Sequence, residues 1–180
     1  MPPAIKREPF TYRDLEHAPD DGKTREVICG ELYVTAAPGT RHQRIVTELI
    51  FSIRTFLQAN QVGMVIVSPV EVVFSEHDAV QPDIVYISNA KRSIIAEKRI
   101  MGAPDWVIEV LSASTRERDL ELKRKLYAKH GVVYWAVDPE ANRLIAWDEA
   151  EERHYSGQDE AAVSVMPGFC LSVGTILGPL

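Results

Sequence analysis

The chain has no apolar run near the roughly 18 residues needed to span a bilayer, and its opening Met1-Pro2-Pro3-Ala4-Ile5-Lys6-Arg7-Glu8 holds no signal-peptide core. A cytoplasmic protein with no membrane partner is expected. Cysteine is scarce: Cys29 and Cys170 are the only two, and they show neither metal-ligand spacing nor the density of a disulfide scaffold, so buried free thiols are expected. The histidines, His17, His42, His77, His130 and His154, never fall in H-x-x-x-H or H-x-H spacing. A zinc hydrolase is disfavoured. No low-complexity linker and no internal repeat divides the 180 residues, and 46% hydrophobic content suffices for one sizeable core. One domain over 1–180 is expected.

Positive charge is in deficit too. The net charge of −6 argues against strong non-specific binding to nucleic acid, whose phosphates reward clustered Lys and Arg. The distribution is uneven, since residues 91–130 hold ten Lys/Arg against six Asp/Glu, while Asp148-Glu149-Ala150-Glu151-Glu152 concentrates the opposite sign. A polyanion has one side to approach. Charge alone is explained equally well by solvated helix and loop surfaces.

Apolar and turn patterns outline the elements. Thr11 to His17 reads as a short helix, and Thr24–Ile28 and Glu31–Thr35 as strands joined by Cys29-Gly30, a hairpin. From His42 to Ala59, Ile45, Val46, Leu49, Ile50, Ile53, Phe56 and Leu57 recur at three- and four-residue steps, which predicts an amphipathic helix across a sheet. Short strands follow at 64–67 and 70–74, a turn at 75–78, and then a strand led by Asp83. Residues 88–104 read as loop, with a helical piece near Ile94 to Lys98. Ser114-Thr115-Arg116-Glu117 fits a capping box before a helix from Asp119 to Lys129 that stops at Gly131. Strands are expected at 132–137, 144–147, 162–165 and 170–173. Strand, helix and strand from 106 to 137 imply a βαβ unit, so the expected architecture is α/β: a mixed sheet flanked by helices, with an N-terminal hairpin.

The chemistry lies in two misplaced acids. Glu109 interrupts Trp106-Val107-Ile108-Glu109-Val110-Leu111, a pattern expected of a strand covered on both faces. A buried carboxylate there costs several kcal/mol unless a cation or donors compensate, by roughly the penalty known for buried ions. Asp83, after Pro82, opens the apolar strand Ile84-Val85-Tyr86-Ile87. If the two strands are neighbours, Asp83 and Glu109 present oxygens to one Mg²⁺, with the Val110 carbonyl as a third protein ligand. Asp119, Lys123 and Tyr127 form one helical stripe, which lets Lys123 lean over that site. Asp105 is expected to cap the start of its strand, and Trp106, Trp135 and Trp147 to be core or sheet aromatics.

These residues resemble the PD-(D/E)xK nuclease signature, and the wider text is similar to restriction-endonuclease-like bacterial proteins of the Uma family. The matching pieces include Gly30-Glu31-Leu32, Pro38 with His42, Pro82-Asp83, Gly102 to Ser112, Thr115, Asp119 with Lys123 and Tyr127, Tyr134-Trp135, Asp138-Pro139 and Pro167-Gly168-Phe169. The resemblance implies a restriction-endonuclease-like fold in which Asp83 and Glu109 bind Mg²⁺ or Mn²⁺ and a lysine assists the attacking water. Leu111 stands where the motif places that lysine. The family's shift of the lysine to the next helix selects Lys123, with Lys125 about 160° away by helical geometry. Glu31 and His42 match the family's upstream Glu and His, expected as supporting ligands or outer-shell groups.

Two functional classes follow. One is a metal-dependent endonuclease on nucleic acid, DNA foremost, working as a homodimer that cuts both strands. The other is a binding or regulatory module of the same fold with little catalysis, in keeping with the acidic total and the displaced lysine.

Overall fold

A computed structural model of the chain describes residues 8–148 and 151–178. The opening segment 1–7, and Glu149-Ala150 of the acidic run, lie outside the described residues.

The expected hairpin is present: β1 (Thr24–Ile28) pairs antiparallel with β2 (Glu31–Thr35), Ile28 opposite Glu31. A two-residue connection of this kind needs positive φ at both positions. Gly30 supplies 77°, and Cys29 adopts 53° although it carries a side chain. The Cys29 N–H is held by Asp78 Oδ1 at 2.9 Å and the Gly30 N–H by the His77 carbonyl at 3.0 Å, which fixes the turn against a neighbouring one. Helix α1 (Thr40–Ala59) follows and buries Ile45, Val46, Leu49, Ile53 and Leu57, the apolar stripe of the sequence.

Two sheets are built from the middle of the chain. Strands β3 (Gly63–Val67), β6 (Ile84–Ser88) and β8 (Trp106–Val110) join β9 (Val133–Asp138), β10 (Arg143–Asp148) and β11 (Glu151–Ser156) in a six-stranded sheet ordered β11-β10-β9-β8-β6-β3. Strands β8 and β9 are parallel and the other pairs antiparallel, so the sheet is mixed. Strands β4 (Glu71–Ser75), β5 (Asp78–Val80) and β7 (Arg99–Met101) extend the hairpin into a five-stranded sheet ordered β2-β1-β5-β4-β7. Helix α2 spans 116–129, and β12 (Glu160–Ala162), β13 (Cys170–Ser172) and the single turn α3 (Val173–Leu177) complete the order.

Side-chain alternation divides the core. Trp106, Ile108 and Val110 pack with α1 and the C-terminal elements on one face of the six-stranded sheet. Val107 and Leu111 pack on the other with Tyr127 of α2 and with Ile28, Val72, Val80 and Ile100 of the smaller sheet. Glu109 belongs to this second face, buried between sheet, helix and hairpin.

Several expectations are corrected. The three-residue β5 and β7 and the charged edge strand β11 were not anticipated, and 88–104 carries a 3₁₀ turn at Asn89–Ile94 rather than one near 94–98. Helix α2 starts at Arg116 behind Thr115, whose side chain makes no capping bond, so the capping-box reading fails. Both cysteines are exposed, because Cys29 sits on the hairpin turn and Cys170 faces out of a two-stranded ribbon. Among the described residues no helix is long and apolar enough to cross a membrane.

Candidate active site

Ile84 pairs with Ile108 and Val85 with Val107, so one step beyond the ladder Asp83 lies opposite Glu109 on the same face. There β6 has ended. The N–H of Val110 has no strand partner on that side and donates to Asp83 Oδ2 at 2.8 Å instead. Since N–H and C=O of one strand residue point the same way, the Val110 carbonyl is directed to this side as well. His42, on the first turns of α1, places Nε2 3.0 Å from the same Asp83 oxygen.

Helix α2 brings the counter-charge. Its middle, Asp119–Lys123, is a π turn in which the Arg124 N–H reaches back to the Asp119 carbonyl, also met by the Tyr134 hydroxyl at 3.3 Å. Such bulges recur at functional sites because they rotate side chains out of the α-helical sequence of directions. Lys123 is turned inward with 4% of its side chain exposed, whereas Lys125 points to solvent beside Glu121. The Lys123 ammonium lies 2.7 Å from Glu26 Oε1, 2.8 Å from Glu109 Oε1 and 3.5 Å from Asp119 Oδ1. Tyr127, one turn on, donates to Glu109 Oε1 at 2.7 Å. Glu109 Oε2 accepts no hydrogen bond among the described residues, and Glu109 lines a cleft of about 380 Å³ together with Glu26, His42, Asp83, Val110 and Lys123.

The electrostatics follow from this crowding. Burial, helped by the negative charges of Asp119, Asp83 and Glu26 and opposed by Lys123, drives the Glu109 carboxyl well above the ordinary carboxylate range. Burial also raises Asp119, against the pull of Lys123. For Lys123 burial acts downward but is overcome by Glu109, Glu26 and Asp119, which hold the ammonium protonated. Four carboxyl groups, Glu26, Asp83, Glu109 and Asp119, thus share the cleft with two cations, Lys123 and Arg118.

Of the residues singled out in the sequence, Asp83, Glu109, Val110, Lys123 and His42 meet in one cleft. Glu31 does not. It is exposed at the start of β2, its carboxylate accepts the Tyr33 hydroxyl at 3.0 Å, and it is absent from the cleft wall. The hairpin acid that enters is Glu26, fully buried on β1, also accepting the Gln81 N–H at 2.9 Å. Its signal was available, because Glu26 shares a strand face with the apolar Ile28. Arg118, held by Thr35, announces itself by no spacing. Asp105 lies away from the cleft and, rather than capping its own strand, accepts the N–H of Ser88 at the end of neighbouring β6 at 2.7 Å.

A divalent cation fits this donor set. No three His, Cys, Asp or Glu side chains among the described residues are gathered for a metal by themselves, yet two carboxylates with a backbone carbonyl suit Mg²⁺, which retains several waters.

A mixed sheet flanked by helices, with an acid pair at the end of its central strands and a buried lysine on the following helix, defines a nuclease-like α/β protein. The model of the Uma2 family, described as "Putative restriction endonuclease", matches residues 11–174, and the chain belongs to that family. A solved structure, "a putative nuclease belonging to DUF820 from Anabaena variabilis ATCC 29413", is similar with a TM-score of 0.79 at 20% identity, covering 94% of this chain and 98% of that one. That likeness establishes the shared fold. No curated protein matches the chain.

Proposed function

We propose that the protein is an endonuclease that hydrolyses phosphodiester bonds of nucleic acid, DNA in the first place, with Mg²⁺ or Mn²⁺ held by Asp83, Glu109 and the Val110 carbonyl. The observation that carries this reading is the pairing of Asp83 and Glu109 on one sheet face beside an ammonium buried among carboxylates. When bound, the divalent ion supplies Lewis-acid polarisation of the phosphoryl oxygen and a water of lowered pKa.

The chain's own residues prepare the ground. His42 and the Val110 N–H fix Asp83 Oδ2, leaving Oδ1 for a ligand. Lys123 and Tyr127 both engage Glu109 Oε1 and so orient Oε2 toward the cleft. Glu26 and Asp119 hold Lys123 charged, and its fixed positive charge beside Glu109 favours a developing anion. A homodimer in the cytoplasm would bring two such clefts to the two strands of a duplex.

Plasmid cleavage tests the proposal. The parent protein with Mg²⁺ or Mn²⁺ is expected to nick or linearise supercoiled DNA, and Asp83→Asn and Glu109→Gln are expected to abolish this while keeping the parent's circular dichroism. A parent that leaves plasmid, single-stranded DNA and RNA intact across divalent ions removes the endonuclease reading. The acidic total and the lysine displaced from position 111 to the following helix favour one second reading, a binding module of the same fold, and metal uptake without cleavage would select it.

A further inference from the structure

Two cations line the cleft, and they differ in what they have left to offer. The Lys123 ammonium has three N–H groups and already faces three carboxylates at 2.7, 2.8 and 3.5 Å. A phosphate finds nothing free there. Arg118 stands at the front of the same π turn with five N–H groups in a planar fork. Its Nη2 donates to Thr35 Oγ1 at 2.8 Å and lies 3.4 Å from Glu26 Oε2, while its guanidinium carbon is 5.4 Å from the centre of the Tyr33 ring. The hairpin therefore fixes the fork before any ligand arrives. Among the described residues its Nε is buried without a hydrogen-bond partner and Nη1 makes no hydrogen bond, and only Nη1 is left unburied with donors to offer a guest.

The surroundings set the size of the guest. The cleft wall next to Arg118 is made by Ala36-Ala37-Pro38-Gly39 on one side and by Ser112 to Thr115 on the other. Small side chains on both rims let a polymer backbone sink to the depth of the guanidinium. An anion is nevertheless opposed by Glu26, Asp83, Glu109 and Asp119, so the group that receives it must be a cation with donors to spare.

We infer that Arg118 receives the non-bridging oxygens of the phosphodiester that is cut, clamping it beside Glu109 while Thr35 and Tyr33 hold the guanidinium in place. The inference rests on the nuclease reading and adds to it a substrate-binding residue distinct from Lys123. It requires that the fork, and not charge alone, be needed: lysine at 118 lacks the planar donors to serve Thr35 and a phosphate together.

The test uses the full chain with Mn²⁺ and a small phosphodiester, thymidine 5′-(p-nitrophenyl phosphate), so that no neighbouring phosphate contributes. Arg118→Ala is expected to raise KM by about 10-fold or more, the range for losing a charge-assisted hydrogen bond, with Mn²⁺ affinity by calorimetry kept. Added methylguanidinium is expected to restore part of the lost rate. Arg118→Lys is expected to keep the parent's melting temperature yet share most of the KM defect, and Thr35→Val to fall between it and the parent. Parent-like KM in Arg118→Ala, or in Arg118→Lys where the alanine variant does not fold, overturns the inference and leaves the nuclease reading standing. A defect that guanidinium does not rescue, accompanied by lost Mn²⁺ binding, also overturns it, because the role is then structural. A parent that turns over neither this diester nor plasmid DNA overturns both.

Discussion

Glu109 is the residue on which the site turns, and the structure explains why a carboxylate is tolerated inside a sheet. It is not alone: Lys123 and Tyr127 bind one oxygen, and Lys123 is shared with Glu26 and Asp119. Removing different members therefore has different consequences. Glu109→Gln leaves Lys123 two carboxylates and relieves a desolvated charge, so stability at pH 7 is expected to stay within about 1 kcal/mol of the parent or to rise. Lys123→Ala strands three acids without their ammonium and is expected to cost about 3–5 kcal/mol, the penalty for breaking a buried ion pair from one side. The sign of its pH dependence is fixed. Without Lys123 the carboxyls of Glu109 and Asp119, already raised by burial, rise further above their unfolded values. Their stability contribution is then complete below the unfolded carboxylate range and is lost as pH climbs through the raised folded values. Urea denaturation at pH 5 and pH 8 should show a smaller Lys123→Ala deficit at pH 5; an equal or larger deficit there would contradict the charge cluster.

The elements show which signals a sequence carries. Asp83 and Glu109 were legible because an acid inside an apolar strand breaks a pattern of period two, and Lys123 because Asp119, Lys123 and Tyr127 fall on one stripe. Glu26 and Glu31 both lie on the hairpin, but only Glu26 sits mid-strand on an inward face, whereas Glu31, which the family pattern selects, adjoins the turn. The π turn was invisible, since an i to i+5 bond leaves no mark in apolar periodicity, and β5 and β7 are too short at three residues to show alternation. Strand β11 reads as surface charge because it is an edge, where charged side chains guard unpaired backbone. The hairpin turn gives an element-scale prediction. At Gly30, with φ of 77°, an added Cβ meets Pro9 Cβ at 2.6 Å, so Gly30→Ala is expected to destabilise the hairpin by about 1–3 kcal/mol from strain alone. Cys29→Asn, suited to the left-handed conformation, should be neutral or stabilising by thermal melting.

At the scale of the molecule, the two apolar clusters flank the six-stranded sheet and neither includes an acid of the cleft. The fold is therefore expected to form without a metal. Leu49, fully buried on the inward face of α1, is expected to cost about 2–5 kcal/mol on truncation to Ala, while EDTA is expected to move the parent's melting temperature by no more than about a degree or two, unlike a structural zinc protein. The proposed function stands on Asp83 and Glu109 holding one divalent cation between them. Calorimetric titration of Mn²⁺ into the parent, Asp83→Asn and Glu109→Gln tests it most directly. One site per chain in the parent, weakened at least about 10-fold in each folded variant as expected when a charged ligand is lost, is the predicted result; a parent that binds no Mn²⁺, or variants that bind it as tightly, would contradict the claim.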